Sequence, residues 1–407
     1  MSTTPQSNPE QTEKRSVLWK IVYGLVMVLL TVVMAVSLLF YMRDQGLLAP
    51  PATEPAQSGA TQPTDPPILV GETDIRLKEP AGEVVLLGQA ARDYLAAESV
   101  RDITAFLTPY WATESRSDRG IPAELSYTVY SLPENVVVTG AVFRLYAADG
   151  SGRYTDLQPR EGSRSVFVYN LQTGTQYRYS AIITLSDGTK VTLPGSIQTK
   201  AGPRLMNIDG IVNVRDVGGW TTVDGKTVAQ GLLYRGSELD GTVEPGFKIT
   251  EQGLEQLKSL GIRTDLDLRH DGEDVLGPEV RHNYYSAIQY EHAFTEDGKK
   301  AIRLLFADLA DPDNYPAYLH CTYGADRTGT MCYLLLGLLG VGDRDLLREY
   351  ELTALYYGYV GTSDMQGFID QIATYPGENT AQRVENFLLS VGVTADQIES
   401  IRHIFLG

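Results

Sequence analysis

Ten residues in the last quarter of the chain, His320-Cys321-Thr322-Tyr323-Gly324-Ala325-Asp326-Arg327-Thr328-Gly329, restrict its fold more than any other stretch. An apolar approach, Tyr315–Leu319, precedes them, and a helix-like run, Thr328–Leu339, follows. That order predicts a strand, a tight loop and the N-terminus of a helix. Backbone N–H groups of such a loop point inward, and the helix dipole adds about half a positive charge there. The loop can therefore hold a phosphate, and it favours the thiolate, nucleophilic form of a cysteine at its start. Arg327 offers a planar fork for two phosphate oxygens. Gly324 and Gly329 suit a turn that needs unusual dihedrals and close backbone approach.

The decapeptide resembles the signature of protein tyrosine and dual-specificity phosphatases, His-Cys-x5-Arg-Ser/Thr-Gly, with every fixed position matched. A second stretch, Asn213-Val214-Arg215-Asp216-Val217-Gly218-Gly219, is similar to the Asn-Phe-Arg-Asp-Leu-Gly-Gly segment that opens a bacterial branch of that superfamily. Further matches follow in the order expected of the branch: Leu233–Ser237, Gly261–Thr264 leading to Asp267-Leu268-Arg269, Tyr350–Thr353, and Gly392-Val393-Thr394. The resemblance covers about 205–407 and nothing upstream of 200.

The resemblance implies hydrolysis of phosphate monoesters in two steps. Cys321 attacks phosphorus to form a cysteinyl-phosphate, which water then cleaves. Loop N–H groups across Thr322, Tyr323, Gly324, Ala325, Thr328 and Gly329 hold the phosphate oxygens together with Arg327. The Thr328 hydroxyl can donate to the sulfur as it departs. Asp326 matches the position of an Asp inside the signature that protonates the leaving oxygen. Asp308, Asp311 and Asp313 are rivals for that role outside the loop, Asp311-Pro312 reading also as an ordinary turn. His320 orients the loop through backbone groups, and Asn213, Arg215, Asp216 and Arg235 are expected to support it. No cofactor and no metal are implied.

One departure bears on the substrate. Relatives with a Gly-Lys-Asp-Arg segment carry a lysine where this chain has Ala325, and that lysine suits multiply phosphorylated inositol lipids. With Ala325 and Tyr323 in the loop, a singly phosphorylated substrate such as protein phosphotyrosine fits the charge balance better. Alternatives are a phosphoinositide or other small phosphoester substrate, an inactive phosphate-binding or cell-surface interaction protein, and sulfur or arsenate chemistry on a similar loop.

The chain has 407 residues and a net charge of −17, so nucleic acids are not expected partners. From Ala201 onward 31 acidic side chains face 17 basic ones, so phosphate binding must come from local dipoles and Arg327. Two cysteines exclude a disulfide framework, and Cys332 reads as core filling. The uncharged apolar run Ile21–Phe40 is about the length of a membrane-spanning helix. Lys14, Arg15 and Lys20 precede it, which puts the N-terminus in the cytoplasm and the rest outside. A cleaved signal peptide is the competing reading.

The expected architecture is thus multi-domain. It comprises a cytoplasmic tail (1–16), a transmembrane helix (17–42), a Pro-rich linker (43–67), a β-rich module (68–200) and an α/β phosphatase domain (201–407). The last is expected to have a mostly parallel central sheet flanked by helices. The protein would be a single-pass membrane protein with its catalytic domain outside the cytoplasm. Strands are predicted at Ala123–Ser131, Val136–Ala147, Ser165–Asn170, Gln176–Leu185 and Lys190–Leu193. Leu171–Tyr179 is similar to the tyrosine-corner stretch of fibronectin type III domains, which suggests an immunoglobulin-like β-sandwich over about 120–200. Such a module would bind an unknown protein or surface ligand. Gln89–Thr108 reads as partly helical, and Arg344–Tyr357, Gln366–Thr374, Thr380–Leu389 and Thr394–Phe405 read as helices, with Thr380 and Thr394 as N-caps.

Other motifs receive plainer readings. Asp265-x-Asp267 lacks a His cluster, and Asp267 is expected to brace Arg215 or Arg235. His270, His282, His292 and His403 sit at no metal-ligand spacing and read as surface residues. Tyr356-Tyr357-Gly358-Tyr359 reads as packing.

Overall fold

A computed structural model describes residues 72–114, 116–270, 272–285 and 289–407. The segments expected to be a cytoplasmic tail (1–16), a membrane span (17–42) and a linker (43–67) lie outside the described residues. Among the described residues no helix is long and apolar enough to cross a membrane.

Upstream, two antiparallel sheets face each other. One joins Asp74–Lys78, Ala123–Ser131 and Ser165–Val168; the other has the order Tyr154–Leu157, Val138–Tyr146, Gln176–Leu185, Lys190–Gln198. Period-two alternation explains their pairing. Tyr177, Tyr179, Ala181, Ile183 and Leu185 all point inward from one strand and share a core with Ile75, Leu125, Tyr127, Val166 and Val168. The Tyr177 hydroxyl accepts the Gln172 N–H at 2.9 Å, closing the turn between them. Asp74–Lys78 and Tyr154–Leu157 are short edge strands with too few apolar residues to be read from sequence.

The two helices that follow the first strand do not join this core. Helices Gln89–Ala96 and Ile103–Leu107 bury Ala90, Ala91, Tyr94, Ile103 and Leu107 in the core of the C-terminal half. Residues 68–200 are therefore not one separate packing unit.

The C-terminal half is built on a six-stranded sheet with the order Arg281–Tyr284, Thr264–Asp267, Ala317–His320, Leu233–Gly236, Arg215–Asp216, Arg204–Leu205. The first four run parallel and the last two antiparallel. Ala317–His320 is buried throughout, as a central strand covered on both faces must be. Register places Gly236, His320 and Asp267 side by side at the carboxyl ends of three parallel strands. The loops leaving those ends converge, which is where open α/β sheets bind ligands. Helix Asp326–Leu338 follows the central strand and buries Thr328 through Leu338, so its apolar residues run all round it.

The predicted helix Arg344–Tyr357 is two helices, Asp343–Glu351 and Ala354–Tyr357. Thr394 caps its helix through a reciprocal box with Gln397, whereas Asn379, not Thr380, caps the preceding one.

Candidate active site

Cys321 leaves the central strand as a free, buried thiol, followed by a loop that turns back at Gly324. Gly324 has φ +62°, and a Cβ there would lie 2.2 Å from the Gly236 carbonyl oxygen, so only glycine fits. The helix begins at Asp326 with no side chain capping its first turn, in contrast to helices capped by Thr250, Thr295, Asn379 and Thr394. Its first N–H groups therefore stay available to an oxyanion.

Three successive loop carbonyls, those of Thr322, Tyr323 and Gly324, are tied by donors from distant parts of the chain, and that of Ala325 by the helix that follows. The Glu238 N–H donates to Thr322 O at 3.0 Å, and the Tyr357 hydroxyl donates to Tyr323 O at 2.8 Å. Asn213 Nδ2 donates to Tyr323 O (3.2 Å) and Gly324 O (3.0 Å). Arg235 Nη2 donates to Gly324 O at 2.6 Å, and the Gly329 N–H to Ala325 O at 2.7 Å.

Behind this lattice lies Glu349, a buried carboxylate shared by two buried arginines: Arg215 Nε at 2.7 Å and Arg235 Nη1 at 2.6 Å. Burial opposes its charge, but the two guanidinium groups hold its pKa below the ordinary glutamate value. Arg215 also donates to the side-chain oxygen of Asn213. Of the expected supports, Asn213 and Arg235 reach the loop carbonyls, and Arg215 stands behind them on Asn213 and Glu349. Asp216 does not: it pairs with Arg204 at 2.9 Å and accepts the Gly218 and Gly231 N–H groups, facing the upstream sheets. Glu349 escaped the sequence reading because its partners lie over a hundred positions away, although it directly precedes the matched Tyr350–Thr353 stretch.

Asp267 braces neither Arg215 nor Arg235. It pairs with Arg269 at 2.7 Å, and Arg269 also grips Asp240 at 2.9 Å and Glu238. Register decides this, because Asp267 sits on the opposite side of the central strand from the strand carrying Arg235. His282 is not a surface residue either. It stacks on Tyr284 with ring centroids 4.3 Å apart and lies 3.6 Å from both Asp265 and Asp267. His320 is fully buried: its Nε2 is 2.9 Å from Asp265 Oδ1, and its Nδ1 lies 3.3 Å from the Cys321 carbonyl oxygen. Burial alone would lower its pKa, but the Asp265 carboxylate beside it pushes it up to about 9. Among the described residues no group of side chains is arranged to hold a metal.

Three side chains at the end of the loop carry its remaining polar groups: Arg327, Thr328 and Asp326. Arg327 donates to the Leu268 carbonyl oxygen at 3.1 Å and lies 3.4 Å from Thr322 Oγ1, yet no carboxylate pairs with it among the described residues. The arginines that brace the loop, Arg215 and Arg235, share the Glu349 carboxylate, whereas Arg327 meets none among the described residues. The Thr328 hydroxyl is buried with no hydrogen-bond partner among the described residues. Asp326, half-buried, accepts the Tyr290 hydroxyl through Oδ1, and that hydroxyl in turn meets the Tyr350 hydroxyl. Asp308, by contrast, is occupied by Tyr285 and Asn283, and Asp311 caps a short turn ahead of the strand, at the end opposite Cys321.

Tyr323, Tyr357, Tyr356 and Phe247 form an aromatic wall beside the loop, with ring centroids 5.7 Å apart for Phe247 and Tyr323 and 5.8 Å for Tyr323 and Tyr357. Tyr357 thus both packs in this wall and ties the loop. Cys332 fills the core, where burial pushes its thiol up to about 12.

Residues 206–407 match the model of the tyrosine phosphatase family. A Cupriavidus necator protein named "Putative tyrosine-protein phosphatase" is 30% identical over 186 residues, covering 35% of this chain and 60% of that protein. A tyrosine-protein phosphatase of Nostoc commune is 24% identical over 135 residues, 27% of this chain and 46% of its own. The chain spans less than two thirds of the length of either relative. The core catalytic domain of the PP-IP phosphatase SIW14 from S. cerevisiae aligns with 40% of this chain and 93% of its own, at 15% identity and a TM-score of 0.27. The Cys321 loop and the Asn213–Gly219 stretch that ties it thus lie within the residues that match the tyrosine phosphatase family model.

Proposed function

We propose that the chain hydrolyses phosphate monoesters, with protein phosphotyrosine as the substrate class, through a covalent intermediate on Cys321. The observation that carries this reading is the Arg327 guanidinium, met by no carboxylate among the described residues, on the same loop as a buried thiol and at the uncapped N-terminus of a helix. In the first step the Cys321 sulfur forms a bond to phosphorus as the ester P–O bond breaks, and Asp326 gives its proton to the departing oxygen. In the second, Asp326 takes a proton from water, whose oxygen attacks phosphorus and expels the sulfur, to which Thr328 donates. Arg327 and the loop N–H groups hold the equatorial oxygens in both steps.

Ala325 and the aromatic wall favour a single phosphate on a flat ring over a multiply charged headgroup. The segment 17–42 is proposed to anchor the chain in a membrane with the phosphatase domain outside the cytoplasm. The upstream sheets are proposed to be a fibronectin III-like module.

The test is hydrolysis of an aryl phosphate and of a phosphotyrosine peptide by the full-length chain. Cys321→Ser should lower the rate by roughly 10³-fold or more. Asp326→Asn should cost about 10²–10⁴-fold with an alkyl leaving group and far less with a nitrophenolate, which leaves unprotonated. Activity surviving in the Cys321 variant would end the mechanism. Faster turnover of phosphoinositide vesicles than of phosphopeptide would end the substrate assignment.

A further inference from the structure

The phosphate loop rests on a residue that lies outside the matched phosphatase segment. Asn213 is the main tether of the loop, yet its own backbone is unusual: φ is +58°, a left-handed conformation that costs a side-chain-bearing residue free energy. Its N–H donates at 3.0 Å to Asp118 Oδ2, 95 positions upstream. Asp118 is 3% exposed and is held in turn by Arg116, Nε to Oδ1 at 2.9 Å and Nη2 to Oδ2 at 3.0 Å. The segment carrying both is pressed onto the C-terminal half. A Cβ at Gly120 would lie 2.3 Å from the Leu205 carbonyl oxygen.

Asp118 therefore sits at the start of a connected series. Its carboxylate holds the Asn213 N–H, which keeps Asn213 left-handed, and that conformation aims Nδ2 at the Tyr323 and Gly324 carbonyls. Turning those two carbonyls outward turns the neighbouring loop N–H groups inward. Without the acceptor, a buried N–H is left unsatisfied and the left-handed turn loses its hold.

We infer that Asp118 is a positioning residue for the phosphate loop, acting through Asn213, so that the upstream region contributes to oxyanion binding. The inference rests on the phosphatase reading for its kinetic arm only.

The full-length chain should be compared with Asp118→Ala, Asp118→Asn, Asn213→Ala and the Asp118→Ala/Asn213→Ala double variant. Two readouts are needed: calorimetric binding of tungstate, an oxyanion that needs no turnover, and kcat and KM for an aryl phosphate. Asp118→Ala should weaken tungstate binding and lower kcat/KM by about tenfold or more. Asp118→Asn keeps an oxygen for the Asn213 N–H but turns its NH2 toward Arg116 Nε, so it should lose folding stability much as Asp118→Ala does while losing clearly less tungstate affinity, which separates positioning from loss of folding. In the Asn213→Ala background, Asp118→Ala should add little, because the path is already cut. Unchanged tungstate affinity in Asp118→Ala, or an equal loss in both backgrounds, would overturn the inference. If the parent chain shows no Cys321-dependent hydrolysis, the phosphatase reading falls while the tungstate arm still decides the role of Asp118.

Discussion

His320 shows what one buried side chain contributes and under which conditions. Its ring lies between Asp265 and the carbonyl of Cys321, and its pKa is raised to about 9 against an ordinary value near 6.5. A raised value means the folded state binds the proton more tightly, so the stabilisation is complete below about pH 6.5 and fades as pH rises through about 9. Its size is on the order of 3 kcal/mol. Denaturant unfolding at pH 6 and pH 9.5 should show that loss in the parent chain, and His320→Gln should remove this component of the slope. Equal slopes in both would exclude the Asp265 pairing. Cys321, Asp326 and Arg327 were legible because one tight turn brings neighbours in sequence together. Glu349 and Asp118 were not, since nothing local marks which of many carboxylates will meet a distant arginine or N–H.

Helix Asp343–Glu351 decides how the loop is linked to the rest of the molecule. One side presents Glu349 to Arg215 and Arg235. The next positions turn elsewhere: Arg348 donates to the carbonyls of Leu95 and Ala97, and Glu351 accepts the Tyr94 hydroxyl. Glu349→Gln would leave two buried guanidinium groups sharing a neutral partner, with an expected loss of about 3–5 kcal/mol. Chemical denaturation checks it, and a loss under about 1 kcal/mol would show that water reaches the pair. Periodicity located this helix but ran it on to Tyr357, because the break at Leu352–Thr353 is made by tertiary bonds from Thr353 to Arg215 and Asn213 and not by a proline or glycine.

At the level of the molecule, residues 89–107 of the upstream region pack into the core of the C-terminal half, while the upstream sheets keep a core of their own. Tyr94, Ala90, Ala91, Ile103 and Leu107 pack with Leu346, Leu352 and Leu355, and the buried Arg204–Asp216 pair sits against the carbonyls of Asn170 and Leu171. A fragment of residues 68–407 should therefore melt in one cooperative transition by calorimetry. A fragment of 201–407 would expose the apolar faces those helices cover, and should melt lower or aggregate. Two separate transitions in 68–407 would show that the halves are independent. Chemistry that depends on adjacent residues could be read along the chain: the Cys321 loop, its helix, the alternating strands and most helix boundaries, since each arises from spacing and local propensity. Which carboxylate neutralises which arginine, where residues 89–107 pack, and how Asp118 comes to hold Asn213 depended on folding. The contacts of Glu349 with Arg215 and Arg235 and of Asp118 with Asn213 join positions about a hundred or more apart, and only packing of the folded chain brings them within bonding distance.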